Sequence, residues 1–148
     1  MRRTVARLRA PRRRLNAARG DRGMTAIEFV FLTPVLFFMI FATVQFALYF
    51  FADHVAQAAA QAGARKARAQ ADVDPGGWRG TATDTANGYI KQLGPQLLEG
   101  PNVEAVQPSQ FAVGVHVRAT VPTIFPGMHL TVDAVSQGPV ERFVPDGG

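Results

Sequence analysis

From Phe29 to Ala52 the chain runs for 24 residues without one Asp, Glu, Lys or Arg. No other stretch restricts the fold as strongly. A helix rising about 1.5 Å per residue would carry this run roughly 36 Å, enough to cross a bilayer core with some tilt. Six phenylalanines lie between residues 29 and 46 and apolar side chains occur all round, so this is not the one-faced helix of a soluble domain. Tyr49 stands near the far end, where an amphipathic ring suits the membrane–water interface. The segment predicts a single membrane-spanning helix.

The flanks give its direction. Residues 1–22 hold nine arginines against one acid, Asp21, whereas from Gly23 onward seven Lys and Arg face ten Asp and Glu, a formal −3. The overall charge of +5 thus belongs to the leader. Basic residues stay on the cytoplasmic side of a span, so the N-terminus is expected inside and the residues after the span outside. A leader that bound RNA or anionic lipid would use the same charges, but only topology explains why they stop at the apolar run. No nucleic-acid partner is expected. A cleaved secretory signal has an apolar core of about 7–15 residues, shorter than this one. Arg12–Arg14 lie too far upstream of the span for a twin-arginine signal. With no cysteine in the chain, disulfides, thiolate catalysis and cysteine-ligated zinc are excluded.

Three residues in or beside the span are chemically out of place. Glu28 stands at its mouth, where a carboxylate is costly without a partner; an intramembrane ionisable group is a functional candidate by default, and a hydrated helix end is the plain alternative. Pro34 removes a backbone hydrogen bond and predicts a kink. Gln45 either bonds a neighbouring helix or sits in the interface. Thr33 and Thr43 can bond back to their own helix and signal little.

Gly23-Met24-Thr25-Ala26-Ile27-Glu28-Phe29 resembles the processing site of type IV prepilins, in which a basic leader ends in Gly and Glu stands fifth in the apolar helix that follows. Downstream, AAAQAGARKA (58–67) and the tail SQGPVERF (136–143) are similar to stretches of TadE/TadG-like minor pseudopilins of tight-adherence (Tad/Flp) pili. The resemblance covers nearly the whole chain from Gly23. It implies cleavage after Gly23 by a membrane prepilin peptidase, on the cytoplasmic side, and a processing site of Gly23, Met24, Glu28 and Phe29. It also implies that Glu28 meets the new Met24 amine of an adjacent subunit, with Pro34 and Gln45 as further candidate subunit contacts in the membrane. The implied partners are the peptidase, other pilins or pseudopilins, the pilus assembly platform and the lipid bilayer, in a homo- or hetero-oligomer. Initiation at Met24 would yield the same end without cleavage.

Beyond the span the helix is expected to continue to about Ala71. Ala52, Ala56, Ala60, Gly63 and Ala67 form a stripe of small residues, which either lets another element approach closely or simply reflects the helix propensity of Ala. DVDPGGWRG (72–80) breaks the helix; its acids lack calcium-loop spacing and read as a solvated turn. Thr83–Leu93 predicts a short helix with Ala86, Tyr89, Ile90 and Leu93 on one face. Gly94-Pro95 ends it, Gly100-Pro101 closes a loop, and Val103–Val106 reads as a short edge strand. In Phe111–Val121 the odd positions are Phe, Val, Val, Val, Ala and Val while the even ones are Ala, Gly, His, Arg and Thr, the alternation of a half-buried strand. PTIFPG (122–127) turns into a second such strand at Leu130, Val132 and Ala134, and Val140–Val144 reads as a further edge.

The fold expected is α+β: a basic leader (1–23), a transmembrane and extended helix (24–71), and an extracytoplasmic domain (72–148) with a short helix and a small antiparallel sheet of three to four strands. His54, His116 and His129 lack metal-binding spacing, and no nucleophile or phosphate-loop motif occurs, so neither metal, cofactor nor enzymatic activity is expected. Two readings remain: a membrane-anchored structural pseudopilin of the bacterial cell membrane, reaching a surface pilus, and a single-pass anchored binding or sensory module without processing. Cleavage after Gly23 separates them.

Overall fold

A computed structural model describes the backbone of residues 17–142 and the side chains of residues 25–142. Among these, α1 (Ala17–Gln70) is followed by α2 (Trp78–Leu93), β1 (Glu99–Ser109), β2 (Ala112–Val121) and β3 (Leu130–Pro139). The strands form one sheet in the order β1-β2-β3 with both pairings antiparallel. This is the expected α+β architecture. The chain divides into two compact units, residues 1–41 and 42–148. The second unit therefore begins inside the long helix, at Ala42.

The first unit, over its described side chains, is a bare apolar helix. Phe29, Phe31, Val35, Phe37 and Phe38 are each more than half exposed, and α1 continues through Pro34 without a break. One described helix is long and apolar enough to cross a membrane, from Thr25 onward, and it fits a single-pass anchor.

In the second unit α1 changes character. Ala52, Ala56, Ala60 and Ala67 are 0–1 % exposed and join Val55 and Ala59 in the core. Facing them are Trp78, Ala82, Ala86 and Ile90 of α2, with Val113, Val115, Val117, Ala119 and Val121 of β2 and Val132 and Ala134 of β3. The small-residue stripe is thus a packing surface. At Gly63 the approach is closest: a Cβ there would stand 2.8 Å from the Ala82 carbonyl oxygen and 2.9 Å from Val115 Cγ2. A side chain at that point would separate the helix from both α2 and the central strand.

The turn after α1 is short, and its acid has a structural use. Asp74 Oδ1 accepts the Gly77 amide at 2.9 Å, holding the chain at the start of α2. As a result α2 begins at Trp78, earlier than the expected Thr83, and buries Trp78, Ala82, Ala86 and Ile90 at strict four-residue spacing. Tyr89 and Leu93, expected on the inner face, are 37 % and 48 % exposed. Gly80 and the threonines have weak helix propensity, but Trp78 supplies burial enough to extend the helix over them.

The strands also depart from expectation in detail. β1 is eleven residues long and takes in Gly100-Pro101, because a bulge between Glu99 and Asn102, with Gly100 at φ 55°, absorbs them. Prolines 101 and 108 are admissible there because β1 is an edge. Phe111 does not begin β2; it lies in the hairpin that closes at Ser109 and Ala112, is 57 % exposed, and carries the Arg142 guanidinium 5.0 Å from its ring centroid. Val140–Arg142 form no further strand, and residues 143 and 144 of the expected fourth one lie outside the described residues. Val140 donates to the Phe111 carbonyl at 2.8 Å and Glu141 to the Arg68 carbonyl at 3.1 Å, so the tail turns from the sheet to the end of α1.

Candidate processing site and the surfaces of the long helix

Gly23 and Met24 lie within α1, ahead of the described side chains, and most of the arginine leader lies outside the described residues. Glu28 is exposed and makes no hydrogen bond or ion pair among the described residues. Phe29 beside it is 70 % exposed, and its carbonyl accepts Thr33 Oγ1 at 2.7 Å. Pro34 has no amide to give the Val30 carbonyl one turn back. Phe37 and Phe41 stack with centroids 6.4 Å apart. Over its described side chains the first unit therefore presents one carboxylate, Glu28, and a dense, largely exposed aromatic surface.

Gln45 behaves differently. It is 5 % exposed, and both ends of its amide are engaged within the chain: Nε2 donates to the Pro122 carbonyl at 3.2 Å and Oε1 accepts the Ile124 amide at 2.7 Å. Within the chain, the β2–β3 loop thus takes up one donor and one acceptor of the Gln45 amide. The reason is local: past Val121 the chain leaves the β-ladder, and its peptide groups need partners.

At the other end of the second unit, the two downstream stretches singled out in the sequence come together. Arg68, one residue beyond AAAQAGARKA, lies across Gly138, where a Cβ would stand 2.8 Å from Nη1, and its Nε is 3.8 Å from Glu141 Oε1. Gly138 and Glu141 both belong to SQGPVERF, so the tail is tied to the helix end.

The outward face of the sheet holds one charged cluster. Asp133 Oδ2 accepts Nε and Nη2 of Arg118 at 2.9 and 2.7 Å, and Oδ1 lies 2.7 Å from His116 Nε2. The Arg118 hydrogen bonds foremost, and then that of His116, hold the Asp133 carboxyl below the usual carboxylate range. Cross-strand register explains the triplet: Arg118 pairs with Asp133, and His116 is two residues back on the same face. Among the described residues no three His, Asp or Glu side chains gather as metal ligands.

The Asp133 cluster and the Gln45 clamp were not singled out in the sequence. Alternation placed His116, Arg118 and Asp133 on outward faces, but their meeting depends on register. Gln45 drew notice as a polar residue in the span and a candidate subunit contact, and its loop partner stayed hidden because it is 77 residues away.

Residues 23–65 match the family model described as TadE-like protein. The match opens on the Gly of the processing motif and closes on Arg65 of Gly63-Ala64-Arg65, just beyond the glycine seated against α2 and β2. No curated protein and no solved structure matches the chain.

Proposed function

From a TadE-like segment at residues 23–65, we propose that this chain is a membrane-anchored pseudopilin that takes part in assembling a Tad/Flp-type pilus, after a prepilin peptidase cuts behind Gly23. The single observation that carries the reading is Glu28: an exposed carboxylate, without a partner among the described residues, at the mouth of a helix that fits a membrane anchor. A carboxylate in low dielectric is stabilised only by a well-placed counter-charge. Cleavage behind Gly23 creates one, the Met24 amine, and the adjacent subunit's amine reaches Glu28 when two copies stand in register. The resulting charge-assisted hydrogen bond rewards correct assembly over random association. The exposed phenylalanines of the anchor supply the lipid and subunit surface. The N-terminus faces the cytoplasm, and α2 and the sheet lie outside. No catalytic group and no cofactor are assigned.

The test is intact mass with N-terminal sequencing of protein recovered from membranes and from sheared surface material, in cells with and without the peptidase. The expected result is a Met24 terminus only where the peptidase is present. A chain that keeps its arginine leader in peptidase-proficient cells overturns the processing step and favours an unprocessed anchored binding module. A chain that begins at Met24 regardless of the peptidase places initiation there. Glu28→Ala should be cut normally and lost from assemblies; normal assembly of that variant removes the role given to Glu28.

A further inference from the structure

β2 runs antiparallel to the outer half of α1: its start lies by Arg68 through the tail, Val115 lies at Gly63, and its end lies by Gln45. The β2–β3 loop is therefore held level with the seventeenth residue of the uncharged run that begins at Phe29. A bilayer core takes about 20 helical residues, so Gln45 falls inside the apolar span rather than beyond it.

We propose that the β2–β3 loop, residues 122–129, dips into the leaflet on the domain's side of the membrane, with Ile124 and Met128 in contact with acyl chains. Four observations converge on lipid as the occupant. The loop Pro-Thr-Ile-Phe-Pro-Gly-Met-His has no Asp, Glu, Lys or Arg, and none occurs between Arg118 and Asp133; its one titratable residue is the exposed His129 at the β3 end. Ile124 and Met128 are 40 % and 41 % exposed although both are large and apolar. Irregular backbone is tolerated at membrane depth only where its polar groups are satisfied internally. Gln45 meets that condition for the Pro122 carbonyl and the Ile124 amide, and the Phe125 carbonyl accepts the Met128 amide at 3.3 Å. Finally, the charged groups nearest the loop sit behind it: Glu99 pairs level with Thr120, and Asp53 lies two helical turns past Gln45. They mark a water boundary close to Thr120. An amide in the apolar run and a loop stripped of its ladder thus satisfy one another, and the domain is seated on the bilayer at a fixed depth. The inference rests on α1 as a membrane anchor and not on its role in a pilus.

Because the chain has no cysteine, single substitutions report cleanly. Ile124→Cys, Met128→Cys, Phe37→Cys in the anchor and Gln110→Cys in the opposite hairpin are made in the full chain, labelled with bimane and reconstituted in vesicles. Each is read for quenching by brominated acyl chains and by aqueous iodide. The expected result is acyl-chain quenching and loss of iodide quenching at 124, 128 and 37, with the reverse at 110. If 124 and 128 behave like 110 while 37 remains lipid-quenched, the loop stands in water and the inference falls with the anchor intact. If 37 is quenched by iodide, the anchor fails and takes the inference with it.

Discussion

One helix serves two environments, and its residues change size at the boundary. In the first unit the described surface is rich in phenylalanine, with Phe31 72 % exposed; in the second the buried positions of α1, Gln45 and Val55 apart, are Ala and Gly, with Ala52, Ala56 and Ala59 at 0 %. Large side chains suit a helix whose neighbours are fluid and can mould themselves round it. Small ones suit a helix that must lie close to a fixed sheet and a second helix. Helix formation is common to both halves and distinguishes neither. Side-chain volume on the contacting face does.

That contrast can be broken by substitution. Trp78→Ala, at a site 2 % exposed, should cost about 3–5 kcal/mol of the outer domain's stability, seen as an earlier thermal transition of the detergent-solubilised chain. Gly63→Ala comes next, at about 1–3 kcal/mol, because the added methyl meets a backbone carbonyl that cannot move aside. Gln45→Leu leaves the Pro122 carbonyl and Ile124 amide unpaired and should cost about 1–3 kcal/mol, with faster amide exchange at Ile124. In the first unit, Phe37→Ala should shift the outer domain's transition by no more than about 0.5 kcal/mol, since the ring is 55 % exposed and is not among the core residues. A large effect there would erase the distinction between the halves.

The smallest expected effect is on pH dependence. The Asp133 carboxyl is held below its ordinary range when folded, so the unfolded chain binds its proton more readily. The cluster's contribution is present above the ordinary carboxylate range and is lost as pH falls through the lower, folded value. Asp133→Asn should flatten the acid limb of a stability-versus-pH curve slightly. The group is solvent-exposed, which keeps the change small.

What the sequence disclosed follows the same division. The span was legible because absence of charge over 24 residues needs no knowledge of partners. β2 and β3 were legible because alternation is a local signal, and the inward residues Val113, Val115, Val117, Val132 and Ala134 are buried as it required. The α2 boundary was missed because Trp78 acts through tertiary burial, which outweighs the weak propensities of Gly80 and Thr81. β1 was read as an edge strand but underestimated in length, because Gly100-Pro101 reads as a loop until the bulge that absorbs it is known. At the candidate site, Gly23, Met24, Glu28 and Phe29 were named through their resemblance to the processing site of type IV prepilins. The partner of Gln45 was hidden because its loop is distant in the chain and has no pattern of its own.

The two prolines of β1 have a consequence for crowding. Pro101 and Pro108 remove amide donors from an outer strand, so that margin of the sheet is a poor template for another chain's backbone. Where many copies are concentrated in one patch of membrane, pairing of sheet edge to sheet edge is a route to aggregation. A proline-guarded margin weakens that route without altering a single side chain of α1.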